Sequence, residues 1–403
     1  MGRSGARRSG TMAFVYEYPT TERVIYGPDA VSGLAEAVDT LGGERVLLLT
    51  TRSLLGTALE ARVREVLGER CVGVLSDVVQ HVPTSSVDVL VQKARGYSPD
   101  LIVTLGGGSV TDAAKAVSAS IGEGYEDGQS LYRHRIVFTY PDTVDLRPFT
   151  GPPLPIVAVP TTLSAAEYDG IFGMTSSAGV KDLYSDTRLT PRVVVLDAAV
   201  TVLTPERLWL GTGIRALDHA IETYVSRSPT PVTDATALHA IKLLAHNLPA
   251  SRDPRDHEAR VNCLVAGWLS MLGVANVTLG LSHGIGHQIG GLCDVPHGET
   301  SCVMLPAVLE RVKEVAPQRL ADIAAAMGAD VSGRTPEEAA TVGVEAVRSF
   351  ISGLGLPTTL SAVGVRREQF PALARAAMED MVVAFAPLDV READVLELLE
   401  RAY

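Results

Sequence analysis

The sequence predicts an α/β domain with a parallel sheet, followed by an all-helical domain. Short apolar runs alternate with helical patterns up to about residue 200, which is the order typical of parallel sheets. One of these runs, RVLLLT at 45–50, is continuously apolar, as expected for a strand that is buried on both faces. From about Pro205 onward the chain is rich in Ala and Leu with helical periodicity, and we identify no convincing strand there.

The elements of the α/β domain follow from local patterns. Residues 14–27 alternate apolar and polar positions around Pro19-Thr20-Thr21, which predicts a β-hairpin. Residues 121–155 are polar, aromatic and Pro-containing, which indicates an irregular insertion that is either functional or a plain surface loop. The other predicted elements are helices at 30–41 and 54–67 and strands at 45–50, 71–75, 100–105 and 156–159. The predicted segments are a disordered tail at 1–12, the α/β domain at 13–200 and the helical domain at 201–403.

The composition argues against several classes of protein. The chain has 35 basic and 47 acidic residues, and its formal charge of −12 argues against a nucleic-acid surface but not against a locally positive site for a small anion. The apolar runs stay below the ~18 residues of a membrane span, and the basic start lacks the apolar core of a secretory signal. Four cysteines without a CxxC pair indicate reduced thiols, so we expect a cytoplasmic protein.

The segment 281–298, LSHGIGHQIGGLCDVPHG, contains three of the nine histidines of the chain. His283 and His287 are four residues apart and share one face of a predicted helix. The glycines and the proline that follow are expected to end this helix, so that His297 returns from the turn beyond. Such a geometry can close on a metal ion or a substrate oxygen. The alternative is a helix end with buried, hydrogen-bonded histidines; three histidines in one segment favour the site.

A glycine-rich loop, LGGGSVTDAAK at 105–115, follows a predicted buried strand and opens a helix. Glycine lets a ligand approach the backbone closely, and a helix N-terminus offers free N–H groups to a pyrophosphate. The spacing matches neither G-x-G-x-x-G nor the P-loop, so the prediction depends on the strand–loop–helix context. A tight glycine-rich turn without a ligand is the alternative.

Two further stretches place polar side chains near the predicted site. VPTTLSAAE at 159–167 puts the hydroxyls of Thr161, Thr162 and Ser164 at the carboxyl end of the sheet, where open α/β sheets bind ligands, although helix capping would also explain them. In GTGIRALDHAIETYV at 211–225, Arg215 and His219 lie four residues apart on one helical face. A solvated ion-pair face is the alternative for Arg215.

Four ordered motifs resemble the iron-containing (group III) alcohol dehydrogenase family. GGGSVTDAAK resembles the family's GGGSxxDxAK, PTTLSAAE its PTT…SE loop, TGIRALDHAIETYVS its TGxDALxHAIExYVS, and HGIGHQIGGLCDVPHG its HxxxHxxGGxxxxPHG. The resemblance covers essentially residues 13–403. It is closest to the maleylacetate reductase branch, because His81-Val82-Pro83 is similar to that branch's HVP and the PTT loop has its shorter length.

The resemblance implies a Rossmann-like N-terminal domain with NAD or NADP in the cleft, the architecture that dehydroquinate synthase shares. A helical C-terminal domain would supply an Fe²⁺ or Zn²⁺ site. His219, His283 and His297 match the metal-ligating histidines, and His287 matches the histidine near nicotinamide and substrate. A homodimer is expected, with residues 14–27 as an edge for pairing. The positions that would bind the cofactor are Thr51, Gly106, Gly107, Gly108, Ser109, Asp112, Thr161, Thr162, Ser164 and Lys181.

One position departs from the family pattern in a way that changes the predicted chemistry. The family's fourth metal ligand is an Asp four residues before the first His, and Arg215 occupies that position here. Arginine stays protonated and does not ligate a metal, and its charge opposes a dication by several kcal/mol at a few Å and an effective dielectric constant of ~20. We therefore hypothesise that Arg215 replaces the metal, and either polarises a carbonyl oxygen or binds a substrate carboxylate. A non-catalytic descendant with a broken metal site is the competing hypothesis.

Two smaller departures concern the cofactor. The strand that usually ends in a ribose-binding Asp ends here in Thr50-Thr51-Arg52, so NADP is less excluded and Arg52 could pair with its 2′-phosphate. The Gly-Ser of the PTT loop is Ala165-Ala166 here, which removes a hydroxyl near the phosphates.

The motifs together predict an NAD(P)-dependent oxidoreductase that reduces the carbonyl or enone of a small, carboxylate-bearing substrate. Arg215 and the histidines, His219 included, would stabilise the developing oxyanion, and His287 would relay a proton. The alternatives are a non-redox lyase or cyclase that uses bound NAD, a metal-dependent alcohol dehydrogenase with Fe²⁺ or Zn²⁺, and a non-catalytic nucleotide-binding protein. We expect no nucleic-acid or membrane partner.

Overall fold

The computed structural model describes residues 16–18, 20–139, 143–177, 179–384 and 386–403, so the predicted tail at 1–12 lies outside the described residues. The strands are β1 Arg23–Tyr26, β2 Val46–Leu49, β3 Cys71–Leu75, β4 Leu101–Gly106, β5 Val137–Thr139, β6 Thr143–Asp145, β7 Ile156–Pro160, β8 Ile171–Thr175, β9 Lys181–Ser185 and β10 Val193–Leu196. The helices of the first half are α1 Leu34–Thr40, α2 Ala58–Leu67, α3 Thr84–Tyr97 and α4 Gly108–Gly122. Those of the second half are α5 Glu206–Tyr224, α6 Pro231–Asn247, α7 His257–Leu272, α8 Leu281–Cys293, α9 His297–Val312, α10 Pro317–Ala326, α11 Pro336–Gly353, α12 Phe370–Met378, α13 Met381–Ala384 and α14 Glu392–Arg401.

The centre of the first half is a six-stranded parallel sheet in the order β1-β10-β7-β4-β2-β3. Every residue of β2, β4, β7 and β10 is buried, because apolar clusters cover both faces of the sheet. This explains why these strands are continuously apolar rather than alternating. The predicted fold class, a parallel α/β domain followed by a helical domain, is confirmed.

The predicted β-hairpin at 14–27 is wrong for the part that the structure describes. The strand in this stretch is β1, and it pairs in parallel with β10, with Arg23 opposite Val193. Alternating polarity arises here because β1 is an edge strand with partly exposed residues, not because it forms a local hairpin. The local pattern identifies the strand, but it does not identify a partner strand that is so distant in the sequence.

The segment between β7 and β10 contains a structure that we did not predict from the sequence. β8 and β9 form an antiparallel hairpin outside the main sheet, with Gly173 opposite Leu183 and Thr175 opposite Lys181. The polar residues of β9 and the glycine in β8 weaken the usual strand pattern. The insertion at 121–155 includes the small β5–β6 hairpin.

Helix α5 is the core of the second half, since its residues are buried from Trp209 to Tyr224 and it packs on α6, α7 and α9. Among the described residues no strand follows β10, in agreement with the helical pattern from about Pro205 onward, although β10 itself was not predicted from the sequence. Gly290 and Gly291 were expected to end the histidine helix, but α8 continues to Cys293 and ends at Asp294, which has a left-handed φ of 56°. No single helix of the described segments is both long and apolar enough to cross a membrane.

Candidate active site

The glycine-rich loop lies between β4 and α4, and its glycines are required by close contacts. A Cβ on Gly106 would lie 2.4 Å from Val110 Cγ2, and a Cβ on Gly107 would lie 2.9 Å from Thr162 Cγ2. Gly107 precedes α4 without a side-chain cap, and the first turn of α4 has no acidic residue. The uncapped N-terminus and the narrow loop fit a pyrophosphate.

The hydroxyls of the PTT loop lie against the same glycines. A Cβ on Gly108 would lie 3.0 Å from Ser164 Oγ, and Thr162 Oγ1 donates to Ser164 Oγ across 3.3 Å. Thr161 and Thr162 are buried. The structure therefore brings together the residues that the sequence predicts for the cofactor phosphates, and their binding role stays a prediction.

The end of β2 supplies Thr51 and Arg52 at another part of the predicted cofactor site. Thr51 Oγ1 lies 2.9 Å from Ser53 Oγ. Arg52 is exposed and lies 3.5 Å from Asp77, while Lys93 Nζ lies 2.6 Å from the same carboxylate and lowers its pKa. The end of β2 thus lacks the acidic residue of the family, but Asp77, just beyond β3, lies between the basic side chains of Arg52 and Lys93.

Histidines from three regions of the chain converge in the cleft. The His219 ring on α5 stacks on the His283 ring of α8 at a centroid distance of 4.7 Å. The His287 ring lies 6.5 Å from that of His283 and 6.2 Å from that of His297, the first residue of α9. His81, from the loop before α3, places its ring 5.6 Å from that of His297. The predicted convergence of the three segment histidines and His219 is therefore observed, and His81 joins them.

Glu222, which the sequence analysis did not single out, fixes His283. Its carboxylate accepts from the backbone N–H groups of Gly280, Ser282 and His283, at the N-terminus of α8, and lies 2.6 Å from His283 Nδ1. Gly280 is needed because a Cβ there would lie 2.7 Å from Glu222 Oε1. His283 Nδ1 therefore donates to the carboxylate, and its Nε2 is left without a partner. Burial lowers the pKa of His283 well below its usual range.

Asp218 is buried beside this pair and accepts from Ser282 Oγ across 2.8 Å. Its other oxygen has no hydrogen-bond partner. Burial and the nearby Glu222 raise the pKa of Asp218 to about 8.

Arg215 lies inside this network and not on a solvated face, since only 9% of the residue is exposed. Its guanidinium donates to Ser301 Oγ across 3.2 Å, and no carboxylate of the described residues lies within 4 Å of it. Burial lowers its pKa, while Asp218 and Glu222 act in the opposite direction from a greater distance. A buried guanidinium with one hydrogen bond has donors left for an anionic ligand.

Asp380, between α12 and α13, was also missed from the sequence. Its Oδ2 lies 2.9 Å from His287 Nδ1 and accepts from Gln288 Nε2 across 3.0 Å, while its Oδ1 accepts from the Val382 N–H. The histidine is thereby held with Nδ1 as donor and Nε2 as the reactive nitrogen. His287 keeps 22% of its side chain exposed, so protons can exchange with solvent.

The loop that carries His81 has a strained backbone. His81 and Val82 have left-handed φ values of 61° and 49°, which cost ~1–3 kcal/mol each for residues other than glycine. Thr175 on β8 holds the loop, since its N–H donates to Val82 O and its hydroxyl to His81 O. The strained pair therefore buries Val82 in the core and places the ring of His81 against that of His297.

The side chains at the family's metal position do not fit a divalent ion in this arrangement. His297 Nε2 already accepts from Lys181 Nζ across 2.9 Å, and its Nδ1 faces α8, 3.1 Å from where a Cβ on Gly290 would be. Arg215 occupies the position of the anionic ligand. Within the described part of the chain, Asp218, Glu222 and His283 are close enough to share an ion, but His283 Nδ1 and Glu222 are already hydrogen-bonded to each other, and Asp218 accepts from Ser282.

Comparisons with known proteins agree with the fold and the motifs. Residues 21–198 match the family description "Iron-containing alcohol dehydrogenase", and residues 210–403 match "Fe-containing alcohol dehydrogenase family, C-terminal". The chain is 32% identical to 1,3-propanediol dehydrogenase of Citrobacter freundii, over 96% of this chain and 99% of the relative. It is 30% identical to maleylacetate reductase of Rhizobium sp. (strain MTP-10005), over 97% of each chain.

A solved structure of a 1,3-propanediol oxidoreductase superimposes with a TM-score of 0.89 at 30% identity, over 97% of this chain and 100% of that one. The family matches cover nearly the whole chain, and the relatives act on small molecules. The chain is therefore an oxidoreductase that belongs to the iron-containing alcohol dehydrogenase family.

Proposed function

We propose that this oxidoreductase uses NAD(P)H to reduce the carbonyl or enone of a small carboxylate-bearing molecule, with Arg215 in the place of the family's metal. The observation that carries the proposal is the buried guanidinium of Arg215 among the histidines, without a carboxylate of the described residues within 4 Å. A buried cation without a counterion is costly, and an anionic substrate or a developing oxyanion would supply the missing charge. The similarity to maleylacetate reductase supports an acidic substrate.

Different residues of the chain would carry out different parts of this reaction. The nicotinamide cofactor would supply the hydride, and the loop Gly106–Ser109 with Thr161, Thr162 and Ser164 would hold its phosphates. Arg215 would stabilise the negative charge that develops on the reacting oxygen. His219 and His283 are kept neutral by burial, so they add no charge beside that oxygen.

The alkoxide that hydride transfer creates needs a proton, and His287 is placed to deliver it. Asp380 accepts from Nδ1, so the imidazolium form of His287 would give up its proton from Nε2 and regain it from solvent along the exposed side of the ring. Asp380 is a positioning residue in this scheme. The balance is one hydride from the cofactor and one proton from solvent for each carbonyl reduced.

The test combines metal content with cofactor turnover. Protein purified without chelator is assayed by elemental analysis, and oxidation of NADH and of NADPH is followed with a 2-oxo dicarboxylate and with a neutral aldehyde. The proposal predicts less than stoichiometric metal and faster turnover of the acid. Arg215→Asp is expected to gain metal and to lose affinity for the acid; unchanged metal content and kinetics in that variant would contradict the proposal.

A metal-dependent alcohol dehydrogenase is the second candidate. It is favoured by the unpartnered buried nitrogens His219 Nδ1 and His283 Nε2, which could take a ligand. Stoichiometric iron or zinc with rapid turnover of neutral aldehydes would put this function first. Substrate consumption without net oxidation of the cofactor would indicate the lyase or cyclase alternative.

We also propose a cytoplasmic homodimer. Within the described residues β1 pairs with β10 alone, so its outer edge is available to a second copy. Size-exclusion chromatography with light scattering measures this directly, and a monomeric mass at micromolar concentration would refute it.

A further inference from the structure

Lys181 reaches the catalytic end of the cleft. It is the first residue of β9, and its ammonium donates to His297 Nε2 across 2.9 Å. The family resemblance implies a place at the cofactor for Lys181, but the structure brings it to His297, which also lies close to His287. A lysine at this place can contact the substrate.

Gly173 on β8 makes room for this lysine. A Cβ on Gly173 would lie 2.1 Å from Lys181 Cε and 3.1 Å from Lys181 Nζ. Gly173 does not have a left-handed φ, so the backbone does not require glycine at this position. The glycine is needed for the space that the lysine stem occupies as it crosses the hairpin.

The charge of Lys181 is not neutralised by a close carboxylate. Among the described residues none lies within 4 Å of its ammonium, in contrast to Lys115, which pairs with Asp169 at 3.0 Å. Asp112 acts on Lys181 only from a greater distance. Burial lowers the pKa of Lys181, and Arg215 is near enough to lower it further.

Two cations thus approach the same histidine from the two halves of the chain. Lys181 comes from β9 of the α/β half, and Arg215 comes from α5 of the helical half. Both lower the pKa of His297 and keep its ring neutral. Like charges that converge without close counterions form a site for an anion.

We propose that Lys181 binds a carboxylate of the substrate, so that an acidic substrate bridges Lys181 and Arg215 across the cleft. This inference rests on the proposed function and names the residue that selects acidic substrates. Gly173 is a positioning residue, because it allows the lysine to take this path. In a reduction, Arg215 holds the reacting oxygen and Lys181 holds the charged end that does not react.

The experiment compares Lys181→Met with the wild type and with a control far from the histidines, at the C-terminal end of α9, Lys313→Met, which removes a partly exposed ion pair to Glu310. KM and kcat are measured for a 2-oxo dicarboxylate and for a neutral aldehyde, and binding of malonate is measured by calorimetry. Loss of one charge-assisted contact predicts a KM for the acid and a Kd for malonate that rise roughly 10- to 100-fold in Lys181→Met. The KM for the aldehyde should rise by much less than the KM for the acid, and Lys313→Met should match the wild type.

Gly173→Ala tests the same contact without removing the charge. It should raise the KM for the acid and the Kd for malonate in the same direction as Lys181→Met, because the methyl group displaces the lysine stem. Lys181→Arg keeps the positive charge and should recover part of the malonate affinity that Lys181→Met loses. A lysine with a purely structural role would not give this recovery.

The outcomes separate this inference from the proposed function. If the wild type reduces the acid and binds malonate but Lys181→Met does so equally well, the inference is wrong and the proposed function stands. If the wild type neither binds malonate nor reduces the acid, both are wrong. An equal loss with acid and aldehyde would place Lys181 on the cofactor and overturn the inference.

Discussion

Replacing Arg215 by methionine should make the protein more stable and much less active. Methionine matches the length of the arginine stem and removes a charge that is buried with one hydrogen bond, to Ser301. Substituting apolar residues for buried charges often stabilises proteins by ~1–4 kcal/mol. The lost bond to Ser301 offsets about 1 kcal/mol of this, so we expect a net gain of up to about 3 kcal/mol in the free energy of unfolding.

Arg260 provides a matched control, because it is also a buried arginine but makes three hydrogen bonds instead of one. It donates to Ser251 O and to the carbonyl and hydroxyl of Thr201, and it stacks on the Trp209 ring at 4.4 Å. Arg260→Met leaves these acceptors unpaired, and the expected loss is about 3–5 kcal/mol. The two substitutions should therefore change stability in opposite directions.

Urea denaturation followed by circular dichroism gives both stabilities, and NAD(P)H oxidation gives the activities. If Arg215 stabilises the reacting oxygen, kcat/KM of Arg215→Met should fall by roughly 10²- to 10³-fold, the usual loss when one oxyanion donor is removed. A destabilised Arg215→Met variant with near-normal kcat/KM would refute the reasoning, because it would make Arg215 a structural residue like Arg260.

Three further predictions concern the pH dependence, the cofactor and the proton path. The pKa of Asp218 in the fold, about 8, lies above its usual 3.8, so folding takes up a proton and stability falls as pH rises from about 4 to about 8. Asp218→Asn should flatten this slope and raise the free energy of unfolding by a few kcal/mol at pH 7. Urea titrations from pH 5 to 8 measure the slope, and an unchanged slope would contradict the raised pKa of Asp218. Arg52→Ala should weaken NADPH binding about tenfold and leave NADH binding unchanged, and fluorescence titration with each cofactor would expose an equal effect on both. Asp380→Asn should lower kcat about 10- to 100-fold with little change in KM, because His287 loses its preferred tautomer; steady-state kinetics with an intact circular dichroism spectrum test this, and a change in KM alone would refute it.

The sequence predicts best those parts of the fold whose signal is local. The buried strands β2, β4 and β7 are recognisable because a strand covered on both faces is continuously apolar. The partner of β1 is not recognisable, because a strand pattern does not say whether its neighbour is local or, as here, at Val193. β9 is missed because it is polar and lies outside the main sheet.

The same distinction applies to the site. The glycine loop and the histidines of α8 are visible as motifs, and Arg215 is visible as a departure from one. Glu222 could have been found from its place on α5, three residues after His219, since the two share a helical face. The contact of Asp380 with His287 spans 93 residues, and that of Lys181 with His297 spans 116, so tertiary packing alone brings these pairs together.

Because the side chain of Lys181 crosses over Gly173, substitutions at positions 173 and 181 should be correlated during evolution. A side chain at position 173 would claim the volume that the lysine uses, so a lineage that gains one should lose the inward lysine or turn it outward. A sequence motif follows from this, with glycine at position 173, lysine eight residues later at 181 and arginine at 215, and it can be recognised without a structure. Relatives could be sorted by it into those that hold acids with side-chain cations and those that hold a metal.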